Sequence, residues 1–286
     1  MKPAPFEYHR AYTADEVVHL LTELGDEAKI LAGGLSLTPM MNFRLARPSA
    51  LIDVNRVGGL DYIRREGDTL CVGALTRHRA LETSVAPEVR DGFGALPRAA
   101  RWIGHYPIRT RGTVGGSIAH SDPTAEWCLL ARLFDADIVV LGPRGTRTIP
   151  SADWFTGFLT TTAEPDEMVV EVRFGRPRKH AALTEYARRR GDFAIAAAAV
   201  AFDVVDGVCT EVGIVLGGVA TEPLRVPEAE ALVEGAPPSE ATWGEAARCA
   251  AAAINPSADV HGDADYRRHL VDTLTRRAFT EAARAQ

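Results

Sequence analysis

The stretch LAGGLSLT at residues 31–38 decides how this sequence is interpreted, because two adjacent glycines separate an apolar run from hydroxyl side chains. A second stretch, GTVGGS at residues 112–117, repeats that composition. Glycine lets another group approach the backbone closely and tolerates positive φ angles. Successive N–H groups of such a turn can face one concavity that holds anionic oxygens, and the hydroxyls of Ser36 and Thr38 are further donors. One such stretch is readily explained as an ordinary tight turn, whereas two of the same kind favour a shared anionic ligand.

The composition is that of a globular protein with a sizeable core. Of the 286 residues, 46% are hydrophobic and 24% are charged. The net charge of −6 argues against nucleic acid as a partner, since phosphate binding favours a basic surface. The sequence has no run of about 18 apolar residues, and residues 1–10 lack an apolar signal core, so we expect no membrane span and a cytoplasmic location.

The motifs of several common enzyme classes are missing from the sequence. It contains no GxGxxG, no P-loop and no GxSxG motif, which argues against a Rossmann dinucleotide site, a P-loop nucleotide site and an α/β-hydrolase nucleophile. His78 and His105 lie outside any HExxH motif and are interpreted as surface or packing residues. The cysteines lack the spacing of a zinc or iron–sulfur site, so we expect no metal here and buried free thiols at Cys71, Cys128, Cys209 and Cys249.

Two carboxylates follow the second glycine pair. Asp122 and Glu126 stand four residues apart, where a helix is predicted to begin after Pro123. Acidic residues at a helix N-terminus complement the positive end of the helix dipole. They can equally accept hydrogen bonds from hydroxyl groups of a ligand, and the spacing alone leaves both interpretations open.

The first fifty-odd residues predict a small βαβ-like unit. Thr13-Ala14-Asp15-Glu16 has the pattern of a capping box, and Gly25 is a natural helix stop. The run that ends at residue 31 and LIDV at 51–54 then predict short strands. We place the end of this first piece at residue 56.

The rest of the chain predicts hairpins followed by helices. Hairpin turns are expected at Gly67-Asp68, at Pro143-Arg144-Gly145 and at Asp206-Gly207, and residues 167–174 read as a strand. The segment 175–179 is a plausible linker, which divides the remainder into 57–176 and 177–286. The class is therefore α+β. A C-terminal amphipathic helix, whose apolar positions are Leu270, Leu274 and Phe279, is expected to be exposed or to face a partner.

Three longer segments closely resemble one known family. They are AGGLSLTPMMNFRLARPSALIDV at 32–54, IGHYPIRTRGTVGGSIAHSDPTAEW at 103–127 and EYARRRGDFAIAAAAVAF at 185–202. Together they resemble the FAD-binding medium subunit of the molybdenum hydroxylases, which include xanthine dehydrogenases and aerobic carbon monoxide dehydrogenase. The likeness covers nearly the whole chain, with the motifs in the same order.

The resemblance implies a fold and a cofactor. The fold would be the α+β, vanillyl-alcohol-oxidase-type (PCMH-type) FAD-binding architecture, with FAD-binding subdomains at 1–56 and 57–176. A C-terminal α+β domain at 177–286 would be like that of the carbon monoxide dehydrogenase flavoprotein. By matching motifs, the first turn would hold the FAD pyrophosphate and the second would close over the cofactor. The implied FAD-contacting residues are Ala32, Gly33, Gly34, Leu35, Ser36, Leu37, Ile103, Thr113, Gly115, Gly116, Ser117, Asp122, Glu126, Val169, Asp192 and Phe193.

The sequence departs from the family pattern at three places. Leu35 stands where glutamine is frequent, and Ser117 where asparagine is common. Thr184 and Glu185 stand where some relatives have a lysine. A cation there can stabilise negative charge on reduced flavin, so Glu185 is expected to disfavour an anionic reduced form and to alter the redox potential.

The resemblance also implies a division of labour. The chain would be the FAD-dependent electron-transfer subunit of an oxidoreductase, with no acid–base residue of its own. Its partners would be a molybdopterin-binding large subunit and a 2Fe–2S small subunit, assembled as a dimer of heterotrimers, and a terminal electron acceptor. The alternatives are a stand-alone FAD-dependent oxidoreductase with its own small-molecule substrate and a scaffold that has lost flavin.

Overall fold

The computed structural model describes residues 1–285, which build three main sheets from separate stretches of the chain. The first stretch contains β1 (Glu7–Arg10), α1 (Ala14–Leu24), β2 (Ala28–Leu31), α2 (Leu37–Asn42) and β3 (Ala50–Asp53). The strands are parallel in the order β1-β3-β2, so the βαβ-like unit is confirmed, with one more strand and one more helix than the sequence indicated. The Thr13 side chain accepts a hydrogen bond from the Glu16 backbone N–H, and Gly25, at φ 72°, ends α1 as expected.

The second stretch forms a five-stranded antiparallel sheet and the helices that pack on it. Its elements are β4 (Ile63–Glu66), β5 (Thr69–Gly73), α3 (His78–Glu82), α4 (Pro87–Phe93), α5 (Ala95–Ala99), α6 (Tyr106–Arg111), α7 (Val114–His120), α8 (Glu126–Leu133), β6 (Asp137–Gly142), β7 (Gly145–Pro150), α9 (Ser151–Trp154), β8 (Phe155–Gly157), β9 (Thr160–Thr161) and β10 (Met168–Phe174). The sheet order is β4-β5-β10-β6-β7, and β8 pairs separately with β9. The hairpin at Gly67-Asp68 is confirmed. The second hairpin turns at Pro143-Arg144 alone, because Gly145 already pairs with Gly142.

The third stretch forms a four-stranded sheet that is covered by helices. Its elements are β11 (His180–Tyr186), β12 (Ala196–Val205), β13 (Val208–Gly217), β14 (Leu224–Arg225), α10 (Pro227–Val233), α11 (Glu240–Ala252) and α12 (Ala264–Arg284). The predicted turn at Asp206-Gly207 joins β12 to β13, with both residues at positive φ. The predicted boundaries at 56 and 176 fall between the sheets.

Both faces of the central strand β12 are buried. Ala197, Ala199 and Ala201 belong to one core with the helices and strands of the second stretch. The alternate positions, which include Val200 and Phe202, belong to another core with α10, α11 and α12. The helices α5 and α8 therefore lie between the five-stranded and four-stranded sheets.

The expectation of an exposed or partner-facing C-terminal helix is wrong. Leu270, Leu274 and Phe279 are all buried, and the Phe279 ring stacks on Trp243 with ring centroids 4.6 Å apart. The interspersed charges misled the prediction, because even Arg267 is buried, where it pairs with Asp259 at 2.7 Å. The apolar stripe of α12 is core.

The cysteine thiols are free, as expected. Cys71, Cys128 and Cys209 are buried, while Cys249 is half-buried. Among the helices of residues 1–285, none combines the length and the apolar character that crossing a bilayer requires.

Candidate functional site

The first glycine turn carries backbone N–H groups with no acceptor inside the protein. It runs from the end of β2 to the start of α2, and Gly34 has φ 74°. Within residues 1–285, the N–H groups from Gly33 to Leu37 make no hydrogen bond to another backbone or side-chain group. Unpaired N–H groups are rare in folded proteins unless water or a ligand satisfies them. The turn thus has the donors of an anion-binding nest.

The second glycine stretch is mostly helix, which corrects the expectation of a second turn of the same kind. Thr113 caps α7 by accepting a hydrogen bond from the Gly116 N–H at 3.1 Å. The N–H groups of Val114 and Gly115 are already bonded to carbonyls of residues 76 and 74. Gly115 packs on Ala74, the residue that follows β5, since a Cβ at Gly115 would lie 2.5 Å from the Cβ of Ala74. This stretch therefore supplies a closely approaching surface rather than free donors.

The two glycine stretches touch each other. A Cβ on Gly33 would lie 2.5 Å from the Arg111 carbonyl oxygen and 2.8 Å from Gly112 Cα. A Cβ on Gly116 would lie 4.0 Å from the Cβ of Ala32. The convergence of two glycine-rich segments from separate parts of the chain is what the sequence predicted.

A polar bridge that the sequence analysis missed ties the two segments together. The Asn55 side-chain amide donates to the Ala32 carbonyl at 2.8 Å, and its oxygen accepts from Arg77 at 2.8 Å. Arg77 also donates to the Arg111 carbonyl. The only sequence signal for this bridge is that Asn55 follows the strand at 50–53, because Arg77 belongs to no motif.

His78 packs against the second glycine stretch and is hydrogen-bonded to it. It is 5% exposed, and its backbone N–H donates to the Gly112 carbonyl at 3.1 Å. Its Nδ1 accepts from the Trp127 indole N–H at 2.9 Å. Burial, followed by the charges of Arg77 and Arg109, lowers the pKa of His78 to about 4. The packing interpretation of His78 is therefore correct, and the residue is neutral at pH 7.

A cavity of about 840 Å³ opens beside the joined segments. It is lined by every residue that the resemblance assigned to FAD: Ala32, Gly33, Gly34, Leu35, Ser36, Leu37, Ile103, Thr113, Gly115, Gly116, Ser117, Asp122, Glu126, Val169, Asp192 and Phe193. Asp122, however, is not on a helix. It lies in the loop before α8, where its carboxylate accepts from the N–H and hydroxyl of Thr124 at 2.8 and 2.7 Å, and α8 begins only at Glu126.

The loop between β11 and β12 forms the opposite wall. Gly191 adopts φ 90° and packs on His105, whose ring would lie 2.5 Å from a Cβ at Gly191. Phe193 lines the cavity while it remains 75% exposed. An exposed aromatic ring at a cavity mouth is free to cover a planar ligand.

Two carboxyl groups near this loop, Glu126 on α8 and Glu185 on β11, form no salt bridge within residues 1–285. Glu126 faces the cavity, and Glu185 is buried on β11. Burial and the neighbouring Glu185 raise the pKa of Glu126 well above its usual range, and burial also raises the pKa of Glu185. Thr184 points the other way, because its hydroxyl donates to the Leu274 carbonyl at 2.9 Å.

Two family models together match almost the whole chain. A family model described as the FAD binding domain in molybdopterin dehydrogenase matches residues 4–177. A second, described as the CO dehydrogenase flavoprotein C-terminal domain, matches residues 181–282. The chain belongs to the FAD-binding medium subunits of the molybdenum hydroxylases.

Curated relatives of this medium subunit align over almost their whole length. It is 39% identical to the 6-hydroxypseudooxynicotine dehydrogenase complex subunit alpha of Paenarthrobacter nicotinovorans, over 99% of this chain and 96% of that protein. It is 37% identical to the carbon monoxide dehydrogenase medium chain of Hydrogenophaga pseudoflava, over 99% of this chain and 98% of that protein.

Solved structures agree with the sequence relatives. The carbon monoxide dehydrogenase of Hydrogenophaga pseudoflava superimposes with a TM-score of 0.95 at 38% identity, with full coverage of both chains. The quinoline 2-oxidoreductase of Pseudomonas putida 86 gives 0.94 at 33% identity, with 99% of each chain covered. The predicted α+β fold, an FAD-binding part followed by a flavoprotein C-terminal domain, is confirmed.

The site fits the cofactor that the family binds, which is FAD. Its volume lies within the roughly 300–1,000 Å³ of ordinary ligand pockets, and its unpaired N–H groups suit a diphosphate. The medium subunit is a FAD-dependent oxidoreductase subunit.

Proposed function

We propose that the medium subunit takes electrons from 2Fe–2S clusters of a small subunit into FAD and passes them to a terminal acceptor. A large molybdopterin-binding subunit would oxidise the organic substrate, and the three chains would assemble as a dimer of heterotrimers. The names of the relatives support this, since they are a medium chain of carbon monoxide dehydrogenase and a subunit of a dehydrogenase complex. FAD supplies the redox chemistry when bound, and the protein supplies binding and orientation.

The single observation that carries the proposal is the unpaired nest at Gly33–Leu37, opposed by the glycine-bearing start of α7. The nest would bind the diphosphate through the main chain, so the presence of Leu35 in place of a glutamine removes no essential donor. Asp122 and Glu126 would face the ribityl and adenosine parts, Ile103 and Val169 would give apolar contacts, and Phe193 would cover the ring. The Asn55–Arg77 bridge would hold the two glycine stretches in a fixed relative position.

The test is direct electron transfer between separately prepared subunits. The isolated chain, loaded with FAD, is mixed anaerobically with its reduced 2Fe–2S small subunit, and the visible flavin absorbance is followed. We expect the flavin to bleach as the clusters are reoxidised. A flavin that stays oxidised while the clusters stay reduced contradicts the proposal. Turnover of an organic substrate by the isolated chain would instead support a stand-alone flavoenzyme.

A further inference from the structure

The loop that carries Phe193 makes few hydrogen bonds of its own. This Phe193 loop, residues 187–195, joins β11 to β12. At its end, the Ile195 N–H donates to the last carbonyl of β11 at 2.7 Å. Across residues 1–285, the one backbone hydrogen bond with both ends inside the loop runs from the Asp192 N–H to the Arg189 carbonyl at 3.1 Å. Contacts with other segments must therefore fix the position of this wall of the FAD cavity.

Arg267 supplies such a contact at the end of the loop. It lies in the first turn of α12 and is 6% exposed. Its Nη1 group donates to the Ile195 carbonyl and, at 2.8 Å, to the Gly218 carbonyl. The last loop residue and the residue after β13 also pack closely, since a Cβ on Gly218 would lie 2.8 Å from the Ile195 carbonyl oxygen. One buried guanidinium thus joins the Phe193 loop to β13 and to α12.

Asp259 fixes the orientation of that guanidinium. Its Oδ2 accepts from Arg267 Nη2 at 2.7 Å, while its Oδ1 accepts from the N–H groups of His261 and Gly262 at 2.8 and 3.2 Å. The guanidinium presents its donors in one rigid plane, so the arm that meets Asp259 determines where the other arm points. Hydrogen bonds between charged groups are also stronger than neutral ones.

The beginning of the loop is attached to the same part of the chain. Arg188 Nη2 donates to the Val260 carbonyl at 2.8 Å. The Tyr186 ring, at the end of β11, meets the Tyr266 ring edge-on, with the ring centroids 6.4 Å apart. Both ends of the Phe193 loop are therefore anchored on residues 259–267.

These anchors lie outside the FAD cavity. The middle of the loop, residues 191–194, lines the cavity, whereas among the described residues that line it neither Arg267 nor Asp259 is present. The two residues can therefore affect bound FAD only through the segments that they hold.

We propose that Arg267, oriented by Asp259, is a positioning residue that holds the Phe193 loop against the flavin ring. This inference rests on the proposed function for placing the ring beside Phe193. Its consequence is selective. Loss of Arg267 weakens the contacts of the ring half of FAD, while the diphosphate keeps its nest at Gly33–Leu37, which belongs to another segment.

The first test compares two ligands. Arg267→Met keeps a long side chain without its donors. We expect its affinity for FAD to fall about tenfold, as for lost hydrogen bonds to a charged group. Its affinity for ADP, which has the diphosphate and adenosine but no ring, should not change. Arg268→Met is the matched control, because the Arg268 guanidinium donates instead to the Ile254 carbonyl and Asp265. Calorimetric titrations that show equal losses for FAD and ADP, or no loss for FAD, overturn the proposal.

The second test asks whether Arg267 acts through Phe193. Residues that act through one another depart from additivity. In a Phe193→Ala background, Arg267→Met should therefore weaken FAD binding by only about twofold or less. Fully additive losses would mean that Arg267 stabilises the fold alone, which overturns the proposal.

A milder variant covers the case in which Arg267→Met does not fold. Asp259→Asn keeps an acceptor for the turn but removes the charge that orients Arg267, and it should weaken FAD binding about threefold while sparing ADP. Unchanged FAD affinity in Phe193→Ala would place the ring elsewhere and also overturn the proposal. These titrations involve no electron transfer, so a failure of transfer from the small subunit is a separate result.

Discussion

Gly33 is the residue at which the two glycine stretches of the proposed flavin site meet. Its α-carbon faces the Arg111 carbonyl and Gly112, so no side chain fits between the two segments. The adjacent Gly34 differs, because its positive φ is what demands glycine there. Glycine is thus required at these two neighbouring positions for two different physical reasons.

The variant Gly33→Ala should lose FAD. Its methyl group would lie 2.5 Å from the Arg111 carbonyl oxygen, so the two segments must separate and the nest is displaced. We expect affinity to fall at least tenfold, or about 1.4 kcal/mol, measured as the FAD content of purified protein and by fluorescence titration. Gly58→Ala is the matched control, because nothing lies within 4 Å of its added methyl group. Full loading of Gly33→Ala would show that the segments do not clamp the cofactor.

His78 makes the free energy of unfolding depend on pH. Its pKa is about 4 in the folded protein and about 6.5 when unfolded. The unfolded chain therefore binds the proton more tightly, and the stabilisation present above pH 6.5 is lost as the pH falls through 4. The resulting loss of unfolding free energy is about 3 kcal/mol.

The variant His78→Gln should remove that part of the acid sensitivity. Glutamine can still accept from the Trp127 indole N–H but cannot be protonated. We expect its unfolding free energy, from urea titrations of apoprotein at pH 7 and pH 4, to fall by about 3 kcal/mol less than that of the unmodified protein. His19→Gln, at an exposed position on α1, should behave as unmodified. An equal fall in both variants would show that another group titrates.

The helix α7 shows where sequence reasoning about an element succeeds and fails. Glycine disfavours helix, so GTVGGS was interpreted as a turn. Tertiary contact decides otherwise, because Gly115 packs on Ala74 and the residues from Val114 onward are helical. By contrast, the hairpin at Asp206-Gly207 and the N-cap at Thr13 were predictable, since their signals are local.

The Thr113 cap is the local interaction that keeps α7 in place. Its hydroxyl accepts from the Gly116 N–H at 3.1 Å, and the residue is 2% exposed. Thr113→Val should lower the unfolding free energy by about 1 kcal/mol, the usual effect of a lost cap, and should weaken FAD binding. Thr113→Ser keeps the hydroxyl and should retain both properties. Calorimetry and FAD titration of the pair would contradict this if valine and serine behaved alike.

At the scale of the whole molecule, the site depends on how the four-stranded sheet β11–β14 packs against the helices. In this sheet the sequence predicted the hairpin of β12 and β13 but not that α12 covers it. The charges on α12 mask a buried stripe that only the partner elements α11 and β12 explain. The resemblance identified residues that line the cavity, since all of them but Val169 lie in the three matched segments. The Asn55–Arg77 bridge and the buried Glu185 depend on contacts between distant segments, and no local pattern reports them.

A substitution at Gly217 tests that packing. It ends β13 against α8, and a Cβ there would lie 2.9 Å from the Leu129 side chain and from the Pro123 carbonyl oxygen. Gly217→Val should push the sheet away from α8 and lower the unfolding free energy by about 1–3 kcal/mol. Because α8 begins with Glu126 and the sheet leads into the loop with Phe193, the FAD cavity should open as well.

The increase in melting temperature on FAD binding should reveal the same displacement of the sheet from α8. FAD at one hundred times its dissociation constant stabilises the folded protein by about 2.7 kcal/mol, which raises the melting temperature of the unmodified subunit. At that same FAD concentration, Gly217→Val should show a smaller increase, since its weaker affinity leaves the site less saturated. Gly58→Val, in open space, should show the full increase. An undiminished increase in Gly217→Val would mean that the cavity is held by the first two sheets alone.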